Sequence, residues 1–322
     1  MPWPSPVSLV LAALVAVAVA RSTPRRSLTI VGVPLALVAI VLYRVTPRGT
    51  IDLVIGVAFG VGLGLLAPWH WPERGSPARR SRYDIAIAAA GSALAVGLVL
   101  WVAANDPTVQ WFGHITTHGD RHGSQVALTF DDGPDDPYSL EVSQVLDAHG
   151  VKGTFFEVGK AIDAKPDIAR ALYEDGQLVG NHSYHHDYWR WLDPRYPELD
   201  RTEEALRRQL GVCPAFFRPP HGQRTPFMLA HVSSKGMHTV TWDVSAGDWA
   251  TNDPALVATR ILDGVKPGSI ILLHDGIDGT VTADRTVLVK ALPMIIDGLK
   301  AKGLTPVRLD ELLDRPGYLD HC

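Results

Sequence analysis

The hydrophobic positions of this chain follow two different patterns. Up to residue 104, apolar residues come in long runs, Val7–Ala20, Leu28–Tyr43, Ile51–Leu66 and Ile85–Ala104, and Asp52 is the one charged side chain inside them. A helix that spans a bilayer needs roughly 17–25 apolar residues, so the first three runs are long enough only if Trp3, Pro68 and Trp69 sit at the interface. Four such runs in series, with no amphipathic helix between them, read as four transmembrane α-helices and not as core helices of a soluble domain. Residues 1–104 are therefore expected to form a membrane domain.

From Gln125 onward the pattern changes to short β-rich runs alternating with longer helical ones. Val126–Phe130, Gly153–Val158, Leu178–His182, Phe216–Arg218, His238–Trp242, Gly268–His274 and Thr305–Val307 read as strands. Between them, Tyr138–His149, Pro166–Asp175, Glu198–Leu210, Pro254–Val265 and Thr286–Lys302 read as helices. Repeated βα units imply an α/β fold with a parallel sheet or barrel over residues 125–322. Residues 105–124 read as a linker. His114, His118 and His122 fall there at four-residue steps, but Gly113, Gly119 and Gly123 argue against a helix that would gather them on a metal, and a plain polar connector is expected.

Composition sharpens the division. Before residue 105 the chain has no Lys and a single His, His70, although 13 His occur in all. The apolar runs are separated by connections that carry Arg21, Arg25 and Arg26, then Arg44 and Arg48, then Arg74, Arg79, Arg80 and Arg82. Arg-rich short loops stay cytoplasmic, so the odd connections face the cytoplasm and the chain emerges outside after the fourth span. A cleaved signal peptide would reverse that placement, but Met1–Ser8 holds no Lys or Arg. A net charge of −4, without a basic stripe interleaved with aromatics, excludes an obvious nucleic-acid footprint. Cys213 and Cys322 are too few for a disulfide framework; pairing outside the cell is the alternative, and two isolated thiols are the leading expectation.

The polar residues at strand ends carry the chemistry. Thr129-Phe-Asp-Asp-Gly-Pro134 ends the first strand with adjacent carboxylates, Asp131 and Asp132, which point in different directions; one can bind a metal while the other faces substrate. As a bare tetrapeptide, Asp-Asp-Gly-Pro is also a good turn. In Asn181-His-Ser-Tyr-His-His186, His182 and His186 are four apart, and on a helical turn both imidazoles would face one ion. With Asp132 they make two nitrogens and one oxygen, a set that leaves positions open for water and substrate. His274 closes the apolar strand Ile270-Ile-Leu-Leu-His274 and can donate a proton there, unless it merely caps the strand or packs in the core. Asp248 can orient such an imidazole, and Asp243 is the weaker candidate. Arg218, in Phe217-Arg-Pro-Pro-His-Gly222, can lock a carboxylate by bidentate hydrogen bonds, with Pro219 and Pro220 stiffening its loop.

The ordered set Thr-Phe-Asp-Asp-Gly-Pro, His-Ser-x-x-His, Arg-Pro-Pro-x-Gly, Asp-Trp and Leu-Leu-His resembles the five motifs of the polysaccharide deacetylases, carbohydrate esterase family 4, over about Gln125 to Arg308. The resemblance implies a distorted (β/α) barrel that removes N-acetyl groups from N-acetylglucosamine-type sugars of a glycan. It makes Asp131 the general base, Asp132, His182 and His186 the metal ligands, Arg218 the partner of the base, His274 the general acid and Asp248 its tuner. Trp249 and Leu272 become walls of the acetyl pocket. His221 departs from the pattern, standing beside Pro220 where many relatives have Tyr; the family uses the backbone N–H there for the oxyanion, so subsite preference is affected and activity is not. Tyr188, Trp189 and Trp191 either stack on sugar rings or pack as ordinary core.

The implied cofactor is a divalent metal ion, Zn²⁺ first and Co²⁺ as an alternative. Implied partners are an N-acetylated glycan and the lipid bilayer. The leading expectation is a membrane-anchored enzyme acting outside the cytoplasm on cell-wall peptidoglycan. A lipid-linked or secreted polysaccharide is the second expectation, since four spans exceed what an anchor needs. A catalytically inactive sugar-binding membrane protein is the third, and the intact base, acid and metal triad argue against it. The oligomeric state is left open.

Overall fold

Short strands joined through helices must lie parallel, since each connection carries the chain back over the sheet. The computed structural model describes Gly97 and residues 100–322, and the chain divides into two compact units, Met1–Val109 and Gln110–Cys322. The first three apolar runs and most of the fourth lie outside the described residues. Among the described residues, no helix is long and apolar enough to cross a membrane.

In the second unit, strands β1 (Gln125–Asp131), β2 (Thr154–Glu157), β3 (Leu178–Asn181), β5 (Phe216–Phe217), β6 (His238–Thr239), β7 (Val244–Ser245), β8 (Ile270–His274) and β9 (Thr305–Val307) form one sheet. Its order is β6-β5-β3-β2-β1-β8-β7, with β9 also paired to β1. Every pairing within it is parallel. The path does not close between β6 and β7, so the barrel is a distorted one. Helices α1 (Tyr138–Ala148), α2 (Gly159–Ala164), α3 (Pro166–Glu174), α4 (Pro197–Leu210), α5 (Pro226–Ser234), α6 (Pro254–Gly264), α7 (Thr286–Ala301) and α8 (Leu309–Leu313) complete the unit.

The two-residue period of the strands sorts the core. On β1, Val126, Leu128 and Phe130 join Leu146, Ile261, Leu288 and Ile295 in the cluster shared with the helices. Ala127 instead joins Phe156, Leu178, Phe216 and Ile270 in a second cluster. Asp131 follows Ala127 and Thr129 on that second face, and on β8 His274 follows Ile270 and Leu272. In this way the alternation that builds the core also aims the functional side chains.

Helix starts use ordinary chemistry. The Asp253 side chain accepts from the N–H groups of Ala255 and Leu256 ahead of Pro254 in α6, and Thr225 accepts from Met228 N–H at α5; both satisfy donors the helix leaves free. The helices α2, α5 and α8 were not expected from the sequence, being short and only weakly patterned. The run His238–Trp242 is not one strand: the ladder with β5 ends at Thr239, and Val244–Ser245 forms a separate strand beside β8. The stretch expected to be a plain connector is paired, with Thr116 bridging Val240 and His118 bridging Ser269. Its three histidines do not form a ligand cluster among the described residues.

The expectation of two isolated thiols is corrected. Cys213 and Cys322 form a disulfide, 109 residues apart in sequence. The pairing follows from an antiparallel ladder that the sequence pattern did not show: β4 (Cys213–Pro214) pairs with β10 (Tyr318–Leu319). That ladder brings the end of the chain back to Cys213.

Candidate active site

In a parallel sheet the C-terminal ends of all strands lie on one side, where the loops that follow them converge. Asp131 ends β1 and is in register with His274, which ends β8. His182 follows β3 and Arg218 follows β5, whose Phe217 is in register with Asn181. The sheet register therefore gathers residues that are up to 143 positions apart in sequence, from Asp131 to His274.

Three ligand atoms converge here. Oδ1 of Asp132 lies 3.4 Å from Nε2 of His182 and 3.1 Å from Nε2 of His186, and all three residues are buried. The expected helical turn is not what presents the two imidazoles. His182 and His186 lie in a loop, with Ser183 at φ 68° and His186 at φ 56°, so left-handed backbone does the turning. Nδ1 of His182 lies 2.8 Å from the carbonyl of Arg218; a ring N–H donated there leaves Nε2 as the lone-pair side. Oδ1 of Asp132 is buried and has no hydrogen-bond partner among the described residues. Burial alone would raise this carboxyl, but His186 and His182 hold it well below the usual range. A dry carboxylate oxygen facing two imidazole nitrogens fits a divalent cation with open positions, and the N₂O donor set suits Zn²⁺ or Co²⁺.

Asp131 stands beside the triad, its Oδ2 3.6 Å from Nε2 of His182. Arg218, fully buried, donates from Nη1 to Oδ1 of Asp131 at 2.7 Å. The expected bidentate pair is not formed. Nη1 also reaches Thr129 Oγ1 at 2.8 Å, and Nη2 reaches the Thr241 carbonyl at 3.1 Å. The guanidinium lies over the Phe156 ring, 4.2 Å from its centre, so one fork spans three acceptors and a stacking face.

His274 is held from behind. Its Nδ1 lies 3.0 Å from Oδ1 of Asp248, and its backbone N–H donates to Oδ2 of the same carboxylate at 3.1 Å. Burial lowers an imidazole, but Asp248, with Asp132 and Asp131 further off, outweighs it and raises His274 to about 9. Trp249 is 54% exposed and sets its ring edge-on to His274, centroids 4.8 Å apart. Leu272 is buried on the same face of β8 as His274. His221, at φ 55°, follows buried Pro220 and lies 4.6 Å ring to ring from His186 and 5.2 Å from Tyr188. Trp191 is buried and packs as core, whereas Trp189 is 62% exposed and Tyr188 42%. Asp243 serves elsewhere, paired with Arg121 at 2.7 Å.

The chain matches the family model described as polysaccharide deacetylase over residues 118–240. It is 33% identical, over 60% of its own length, to a peptidoglycan-N-acetylglucosamine deacetylase of Bacillus cereus, and covers 70% of that protein. The chain belongs to the polysaccharide deacetylase family. It is also 31% identical to the peptidoglycan-N-acetylglucosamine deacetylase PgdA of Listeria monocytogenes, of which it spans only 39%. A crystal structure of a peptidoglycan N-acetylglucosamine deacetylase superposes with a TM-score of 0.59 at 30% identity, covering 63% of this chain and 94% of the other. As a member of carbohydrate esterase family 4, the protein is a metal-dependent carbohydrate deacetylase, a hydrolase of amide bonds.

Several residues of this deacetylase site were not singled out by the sequence. Arg285, buried, donates from Nη2 to Oδ2 of Asp248 at 2.5 Å and from Nε to the His274 carbonyl at 2.8 Å. Glu157 and Asp275 are fully buried behind the Asp131–Gly133 turn. Asp275 accepts from Ser139 Oγ, and burial pushes it up to about 7. Burial, with the Asp275 carboxylate nearby, holds Glu157 well above the usual range. Asp278 touches two metal-triad residues. No motif spacing marks these positions: Glu157 ends β2, and Asp275, Asp278 and Arg285 are spread along the single loop from β8 to α7.

Proposed function

We propose that this deacetylase hydrolyses N-acetyl groups from N-acetylglucosamine-type residues of cell-wall peptidoglycan, from a catalytic domain placed outside the cytoplasm and anchored by the apolar N-terminal runs. The observation that carries the chemistry is the register of Asp131 with His274 across β1 and β8, with the Asp132–His182–His186 triad beside it. A bound divalent ion lowers the pKa of its water toward 7 and polarises the acetyl carbonyl.

Within that frame, Asp131 takes the proton of the attacking water, and the Arg218 fork keeps its carboxylate fixed at that work. His274 donates a proton from Nε2 to the departing amine, a poor leaving group otherwise, while Asp248 holds the opposite ring nitrogen. Leu272 and Trp249 enclose the acetyl methyl. The backbone N–H of His221, turned by its left-handed conformation, assists the developing oxyanion. Trp189, Tyr188 and His221 extend from the metal ligands toward solvent and give sugar rings flat faces to lie against.

Both named relatives act on peptidoglycan N-acetylglucosamine by their names, and this supports the substrate. Two features support the placement. Seven of the Arg between the apolar runs fall in the odd connections and two in the even one, and the Cys213–Cys322 disulfide suits an oxidising compartment. Acetate release by the full chain, with added Zn²⁺ or Co²⁺, is expected from N-acetylated peptidoglycan. Release confined to a lipid-linked sugar would move the substrate to the bilayer, and none from peptidoglycan, chitooligosaccharide or lipid-linked sugar would sink the proposal. A reporter fused after Cys322 that works only in the cytoplasm would overturn the outside placement.

A further inference from the structure

The loop after β8 reaches back over the metal triad. Ile277–Thr280 closes as a tight turn, Thr280 N–H donating to the Ile277 carbonyl at 2.8 Å. Its central residues, Asp278 and Gly279, have φ of 49° and 63°, the pair of left-handed positions for which Asp-Gly is favoured. A Cβ on Gly279 would lie 2.5 Å from Val158 Cγ1 and 2.8 Å from Lys160 Cε, so the turn is seated closely against the start of α2. Thus placed, Asp278 meets two metal ligands at once. Its backbone N–H donates to Oδ2 of Asp132 at 3.0 Å, leaving Oδ1 toward the imidazoles. Its carboxylate Oδ1 lies 2.9 Å from Nδ1 of His186, a close ionic contact that does not have the alignment of a hydrogen bond.

We propose that Asp278 is the positioning residue of the metal centre: its backbone fixes the carboxylate of Asp132, and its side chain fixes the ring of His186 with Nε2 toward the ion. The inference rests on the reading of Asp132, His182 and His186 as the metal triad. The two histidines differ in how they are held. His182 is aligned from the interior by the Arg218 carbonyl, and buried, left-handed His186 has the Asp278 carboxylate in the corresponding place. A carboxylate on the distal nitrogen of a ligating imidazole fixes its tautomer and strengthens its metal-facing lone pair. His186, His221 and Asp278 also lie close enough to hold an ion of their own, but that would take Nδ1 of His186 away from Asp278. The two arrangements differ in the number of ions bound.

Metal dissociation constants of the full chain, measured for Zn²⁺ and Co²⁺ by competition with a chromophoric chelator, test this directly. Asp278→Gly keeps the left-handed backbone and its N–H but removes the carboxylate, and Asp278→Asn tolerates the same φ and keeps an oxygen acceptor. One ion per wild-type chain is expected, with affinity about 10–100-fold weaker in Asp278→Gly, an altered visible spectrum of bound Co²⁺, and substantial recovery in Asp278→Asn. An Asp278→Gly chain that binds as tightly as wild type, an Asp278→Asn chain as weak as Asp278→Gly, or two ions per wild-type chain would overturn the assignment. A wild-type chain that binds no ion would overturn the triad reading as well.

Discussion

His274 illustrates how a single charge decides the working range of a catalytic group. Its ring is buried, which by itself favours the neutral form, yet the Asp248 carboxylate at Nδ1 keeps it protonated up to about 9. A general acid is active while protonated, so the raised value extends activity toward alkaline pH and loss is expected as pH rises through it. Asp248→Asn removes the carboxylate charge that His274 Nδ1 and Arg285 share. The alkaline limb of kcat/KM should then move to lower pH by about one to three units, the usual effect of a close opposite charge. An unmoved limb in Asp248→Asn would show that His274 is not the proton donor. Asp248 and His274 could be named from the sequence because each sits in a short motif. Arg285 could not, because its role comes from a fold contact 37 residues away from Asp248.

At the level of elements, the site depends on how tightly the turn after β1 fits that after β8. The N–H groups of Asp275 and Gly276 both point to the Asp131 carbonyl, at 3.2 and 3.3 Å. A Cβ on Gly276 would lie 2.5 Å from the Asp132 carbonyl oxygen and 2.7 Å from its carbon. These are backbone atoms of a metal ligand and cannot swing aside as a side chain would. Gly276→Ala should therefore displace Asp132, weakening metal binding at least about tenfold and lowering stability by about 1–3 kcal/mol, the range for an overfilled site. Titration with Zn²⁺ and thermal unfolding would check it, and a variant with wild-type values of both would refute the fit. The same elements show what the sequence could reveal. The longer β1 and β8 are buried apolar runs that end on a polar residue, so those ends were legible. The two-residue strands β5, β6 and β7 are too short to carry a period, and their edges were misplaced. The spacing of His182 and His186 suggested a helical turn, but non-glycine residues at positive φ are imposed by packing around them and leave no composition signal.

For the catalytic unit as a whole, the Cys213–Cys322 bridge joins β4 to the segment after β10 and closes a loop with a separation of 109 residues. In the same segment, the Tyr318 hydroxyl oxygen accepts from Val179 N–H at 3.0 Å, so the tail is tied to β3, the strand that leads into the metal loop. Chain-entropy reasoning gives about 4.7 kcal/mol for a cross-link closing roughly 100 residues, and native bridges commonly deliver about 2–4 kcal/mol. The Cys213→Ser/Cys322→Ser double variant is accordingly expected to unfold at lower denaturant by that margin, and reducing the wild type should produce the same shift. Metal affinity should change far less than stability, because none of the triad lies on the bridged segments. If the oxidised wild type, the reduced wild type and the double variant all unfold at one midpoint, the bridge contributes nothing to the fold. The stabilising argument would then fail, and with it one of the two reasons for placing the domain outside the cytoplasm.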